Sequence, residues 1–145
     1  MPVMKKFLPA LMLLAATLGI AACSDNKDYD EVPEPIIMFL TKYWPNPIIE
    51  NYSHPNSNTY EVDIKNGPSF VFNGDYDWTE ADGEGLPLPE VFLYDQLPST
   101  LYNYLEGGEY LNQVFEIERN ARTYELSLLN INLTYDISTD SIREN

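Results

Sequence analysis

The sequence predicts an α+β domain: two tandem helix-plus-antiparallel-strand repeats whose strands form a sheet with the helices on one face. Two observations carry this reading. Thr59-Tyr60-Glu61-Val62-Asp63-Ile64 and Thr123-Tyr124-Glu125-Leu126-Ser127-Leu128 follow one strand pattern, apolar at alternate positions. Each copy is preceded by an amphipathic helix pattern and followed by another strand pattern, and short loops favour antiparallel pairing between successive strands.

The chain has 145 residues, enough for one domain or two small repeats sharing a core. Residues 1–22 read as a secretory leader. Lys5 and Lys6 are its basic start, and Phe7 to Ile20 is apolar apart from Thr17, shorter than the roughly 20 residues that span a bilayer comfortably. Ile20-Ala21-Ala22-Cys23 resembles the lipobox of bacterial lipoproteins, with cleavage between Ala22 and Cys23 and lipid on Cys23. Several acyl chains on one cysteine anchor a protein stably, where a single chain holds it only marginally. Residues 23–31 read as an acidic tether and resemble the export signal of Bacteroides-group surface lipoproteins. The expected location is the outer membrane, with the domain facing the periplasm or the cell surface.

The folded region is expected over 32–137, with repeats at about 32–82 and 90–137. In the first, Ile36, Ile37, Leu40, Tyr43 and Trp44 share a helical stripe that opens near Pro35 and ends at Pro45. Strands follow at Ile48 to Tyr52, Thr59 to Ile64 and Ser69 to Asn73, with a possible fourth around Trp78. Gly83 to Pro89 reads as a linker, and Glu90 to Gln96 as a short extra helix. In the second repeat, Leu97, Leu101, Tyr102 and Leu105 form a helical stripe closed by Gly107-Gly108. Leu111 to Ile117, Thr123 to Leu128 and Ile131 to Ile137 are its strands. This copy has no counterpart of Trp78, so its last strand is expected to be missing, and the polar tail 138–145 is expected to fray.

Charge narrows the partners. Loss of Lys5 and Lys6 with the leader takes the formal net charge from -15 to -17. That balance repels phosphate backbones, so no nucleic acid is expected as a partner, and it makes any membrane link covalent rather than electrostatic. A single cysteine excludes an internal disulfide.

Several pieces carry a family resemblance: Phe39-Leu40-Thr41-Lys42-Tyr43-Trp44-Pro45, Tyr60-Glu61-Val62 with Asn66-Gly67, and Phe72-Asn73-Gly74 leading to Trp78. The Tyr124-Glu125-Leu126 strand and Asn130 repeat part of the set. The chain resembles the PepSY-like, β-lactamase-inhibitor-like family of Bacteroides-type secreted lipoproteins over roughly residues 32–137. That resemblance implies tandem helix-plus-sheet repeats and no catalysis. It does not imply inhibition: the inhibitors carry disulfides, impossible here, and no segment matches their inhibitory loops.

Few residues are candidates for chemistry. His54, the one histidine, lies in a turn-rich stretch without a nucleophile motif, and zinc lacks His and Cys ligands. Asp75, Asp77, Thr79, Glu80, Asp82 and Glu84 are the best cation candidates, with Asp75, Asp77 and Asp82 foremost. Glu80 stands where a calcium loop needs Gly and the distal Glu is absent, so a solvated turn is the preferred reading. No carboxylate pair is marked for glycosidase work. Trp44 and Trp78 sit near turns and are the candidates for a ligand contact. The expectation is a non-catalytic, lipid-anchored envelope protein without cofactor that binds a protein or peptide on its sheet; the alternative is a surface glycan-binding lipoprotein.

Overall fold

The computed structural model describes residues 31–145. The leader, the Ala22–Cys23 cleavage point, the lipid-bearing Cys23 and the tether up to Asp30 lie outside the described residues. Among the described residues the chain forms three helices and one eight-stranded antiparallel sheet: α1 (Glu34–Tyr43), β1 (Ile49–Asn56), β2 (Thr59–Ile64), β3 (Ser69–Phe72), β4 (Trp78–Asp82), α2 (Glu90–Gln96), α3 (Ser99–Gly107), β5 (Glu116–Arg119), β6 (Thr123–Ser127), β7 (Asn132–Asp136) and β8 (Ser141–Glu144). Spatial order follows chain order from β1 to β8.

Each helix begins after a proline, whose fixed φ suits a first turn and whose missing N–H is not needed there. In α1, Ile36, Leu40 and Tyr43 recur at helical spacing and are buried. Trp44 ends it in extended geometry, its N–H still bonded to the Leu40 carbonyl at 2.8 Å, and Pro45 blocks continuation. Residues with positive φ close several of the turns: Asn66 between β2 and β3, Tyr76 between β3 and β4, and Asp140 between β7 and β8.

Most strands alternate buried and accessible positions. Val62, Ile64, Phe70, Phe72, Trp78, Ala81, Ile117, Leu126, Leu133 and Tyr135 are buried on one face of the sheet. They join Ile36, Leu40, Phe92, Leu93, Leu101 and Leu105 from the helices in one core. Fully burying such a side chain contributes about 1.5–3 kcal/mol. The first half of the core is aromatic: Phe39, Tyr43, Trp44, Phe70, Trp78 and Phe92 meet mostly edge to face.

Three expectations are corrected. The strand expected from Leu111 to Ile117 starts only at Glu116. Leu111 to Gln113 form a turn (Gln113 N–H donates to the Tyr110 carbonyl, 2.9 Å), and Val114 is buried from a loop. Its carbonyl and that of Phe115 accept from Leu88 and Gly83, pinning the β4–α2 connection. The last strand of the second half is present, not missing. Ser141–Glu144 pairs with β7 in the register Leu133↔Glu144 to Asp136↔Ser141, where a fraying tail was expected. The first strand also runs beyond Tyr52 to Asn56.

Candidate functional site

Period-2 alternation sends the polar half of every strand to the face without helices. The registers place these residues in rows across the sheet. One row reads Ser53, Glu61, Val71, Glu80, Glu118, Glu125, Thr134 and Arg143, each opposite the next. The neighbouring row contains Asp63, Ser69, Asp82, Glu116 and Ser127. At the centre, where β4 meets β5, like charges stand directly opposite: Glu80↔Glu118 and Asp82↔Glu116 on β4–β5, and Glu118↔Glu125 on β5–β6. Directly opposed like charges destabilise a sheet.

The margins of this face are tied by hydrogen bonds from neutral donors to its carboxylates. Ser53 donates to Glu61 at 3.0 Å, Asn51 to Asp63 at 3.2 Å, and Thr134 to Glu125 at 2.7 Å. At the centre, Glu80 is solvent-accessible yet crowded. Partial desolvation, then the charges of Glu118, Glu61 and Asp82, push its carboxyl pKa above the ordinary value. The ion pair Lys42–Asp95, at 3.5 Å, belongs to the helix layer. Arg143 is the cation of the central row and sits at its far edge, on β8.

The residues singled out from sequence are not brought together. Asp75 and Asp77 are exposed in the β3–β4 turn, where their N–H groups donate to the Asn73 side-chain oxygen at 2.8 and 3.1 Å. Asp82 closes the other end of β4 and accepts from the Glu84 N–H at 2.8 Å. Among the described residues, no group of three or more His, Cys, Asp or Glu is placed to hold a metal ion. Trp78 is 2 % exposed, so its indole face is not a surface platform. Its Nε1–H donates to Gln96 at 2.9 Å, and the Arg119 guanidinium lies 3.9 Å from its ring centroid. Trp44 is half-buried against Phe70, Phe92 and Tyr43. His54 is exposed on β1, stacked on Tyr60 at 4.0 Å, with Nδ1–H donating to the Thr59 carbonyl at 2.9 Å.

Sequence reasoning missed the carboxylate rows and Arg119. The signal for the rows was present in the polar positions of each strand, but opposition across strands needs the register. Arg119 is two residues from Ile117, hence on the inward face, a placement unusual enough for a cation to have marked it.

A family model described as "Putative beta-lactamase-inhibitor-like, PepSY-like" matches residues 56–142. The chain belongs to this PepSY-like family. The match runs from the end of β1 into β8 and so includes every carboxylate of the central rows. No curated protein matches the sequence. Solved structures share the PepSY-like fold. A "putative periplasmic protein of unknown function" from Bacteroides vulgatus is 20% identical with a TM-score of 0.63, covering 80% of this chain and 93% of that one. A "putative calcium-regulated periplasmic protein" from Bacteroides thetaiotaomicron is 21% identical with a TM-score of 0.64, covering 80% and 91%. A second Bacteroides vulgatus periplasmic protein is 19% identical with a TM-score of 0.64 over the same shares. At these identities the likeness concerns the fold.

Proposed function

We propose that this PepSY-like protein is a non-catalytic, lipid-anchored envelope module that binds a basic protein or peptide across its open sheet face. The observation that carries the reading is the row Glu61, Glu80, Glu118 and Glu125 on the face that the described helices do not cover. Like charges held opposite one another raise the free energy of the unbound state. A partner bearing Lys or Arg relieves that repulsion on docking, so part of its binding energy is already stored in the sheet. Anchoring through Cys23 rests on the leader pattern, and an outer-membrane location accords with neighbours called periplasmic. The reading as two repeats is supported by the order of elements, one helix before four strands in the first half and two helices before four strands in the second.

The glycan alternative rested on exposed tryptophans and loses that support with Trp78 buried. The calcium regulation printed in one neighbour's name is said of that protein, and among the described residues of this chain no group of three or more His, Cys, Asp or Glu is placed to hold a metal ion. The test is titration of the isotope-labelled domain with a Lys-rich peptide, mapped by amide shifts at two salt concentrations. Salt-sensitive shifts confined to β2–β6, and lost in Glu80→Gln/Glu118→Gln, are the expected result. Weak shifts spread over the whole surface would refute the site.

A further inference from the structure

A cleft of about 480 Å³ opens at the end of the sheet where the β3–β4 and β5–β6 hairpins lie side by side. Its lining includes Asn73, Asp77, Arg119, Asn120 and Tyr124. In a chain of net charge -15, its chemistry runs against the rest of the surface.

The two asparagines do the same work in neighbouring turns. The Asn73 side-chain oxygen accepts from the Asp75 and Asp77 N–H groups, at 2.8 and 3.1 Å. The Asn120 side-chain oxygen accepts from the Arg122 and Thr123 N–H groups, at 2.7 and 2.9 Å. Because backbone N–H can only donate, both amides are fixed with oxygen toward the turn and Nδ2 as the free end. Neither Nδ2 donates to another described residue. Between them Arg119 is held rigidly. Its Nε donates to the Trp78 carbonyl at 2.7 Å, its Cζ lies 3.9 Å from the Trp78 ring centroid, and Nη1 reaches the Tyr124 hydroxyl at 3.4 Å. Its Nη2 makes no hydrogen bond among the described residues. Three residues that line one cleft, one of them an arginine held by its neighbours, therefore each keep an N–H donor unspent among the described residues.

From this grouping we infer that the cleft is a binding site for a carboxylate group, supplied either by a peptide C-terminus or by a small organic acid. A carboxylate offers two coplanar oxygens that match a guanidinium edge, and amide N–H groups can satisfy its remaining lone pairs. Asp77 at the cleft opposes the charge and limits affinity, so Asp77→Asn tightens binding. This site is independent of the open sheet face.

The test uses the whole folded domain and three probes: N-acetyl-triglycine, its C-terminal amide, and succinate. The readout is the side-chain NMR signals of Asn73, Asn120 and Arg119. The acid is expected to shift them saturably at millimolar concentration, and the amide at least about tenfold more weakly, as loss of a charge-assisted bond implies. A stronger response to the peptide acid assigns a peptide terminus; a stronger response to succinate assigns a small acid. Asn120→Asp keeps the oxygen that forms the turn while replacing the free donor by a negative charge. It is expected to leave the melting temperature unchanged and to weaken the acid about tenfold or more. Equal shifts from acid and amide, no shift from either acid at tens of millimolar, or undiminished binding by a folded Asn120→Asp variant each overturn the proposal.

Discussion

Glu118→Gln should make the domain more stable, although it removes a charge from the surface and adds no contact. Glu118 stands opposite Glu80 on β4 and Glu125 on β6. Two unit charges about 6 Å apart in water repel by roughly 0.7 kcal/mol, and direct cross-strand pairs fall in the range of about 0.2–1 kcal/mol. Removing Glu118 relieves two such pairs, for a gain of about 0.5–2 kcal/mol, or about 2–6 °C in melting temperature. Glu80→Gln relieves the desolvation of its carboxylate, the pair with Glu118 and the charges of Glu61 and Asp82, so it too is expected to stabilise. The double variant should gain less than the two singles together, because both remove the same repulsion. Salt should stabilise wild type more than Glu118→Gln. The pH dependence has a definite sign. The folded state raises the Glu80 pKa through desolvation and through Glu118, Glu61 and Asp82, so the folded state binds this proton more tightly than the unfolded chain. Ionised Glu80 therefore costs stability above its folded pKa. That cost is removed as pH falls from neutral through the folded pKa, and wholly so below the unfolded value near 4.3. Thermal melts of both proteins between pH 7 and pH 5, at low and high salt, check all of this. A lower melting temperature for Glu118→Gln at pH 7 in low salt would show that the row is not repulsive.

Three more outcomes follow from the structure and the leader. Gly83→Ala should destabilise by about 1–3 kcal/mol or more, read by urea unfolding, because a Cβ there would lie 1.8 Å from the Leu86 carbonyl oxygen, a backbone atom that cannot swing aside. Cys23→Ala should release the protein from the membrane fraction, since it removes the acylation site; retention in that fraction would contradict lipid anchoring. Calcium at millimolar concentration should barely move the melting temperature, and a rise of several degrees would mean that the carboxylates converge on an ion after all.

Much of the fold was legible because its core residues keep strict periods. Ile36, Leu40 and Tyr43 mark α1, Val62 with Ile64 mark the inward face of β2, and Leu126 with Leu128, just past its end, mark that of β6. The second half was harder for a physical reason. Val114 is apolar and buried but belongs to a loop whose backbone bonds go to the β4–α2 connection, so burial there does not signal a strand. Edge strand β8 carries one apolar residue, Ile142, between Ser141 and Arg143-Glu144. Charged, short edges resist pairing with other chains, and the same composition hides them from a hydrophobic pattern. Side-chain bonds to Tyr104 and Tyr135 help hold this end: the Tyr104 hydroxyl bonds Glu144, and the Tyr135 hydroxyl donates to Asp140 at 2.5 Å. These bonds, foremost, push both phenol pKa values up to about 12. Trp78 lies next to a turn in sequence, yet the irregular register between β3 and β4 turns it inward under α2. No local pattern could have placed it there.

The central claim, that the open acidic face binds a basic partner, is tested most directly by site-specific photocrosslinking in intact cells. A crosslinker at Val71 sits within the carboxylate row, and one at Tyr94 sits on the exposed side of the helix layer. The expected result is a discrete adduct from position 71, absent from position 94 and lost in Glu80→Gln/Glu118→Gln, whose captured surface is rich in Lys and Arg. An adduct from position 71 that survives the double substitution, or one formed only from position 94, would contradict it.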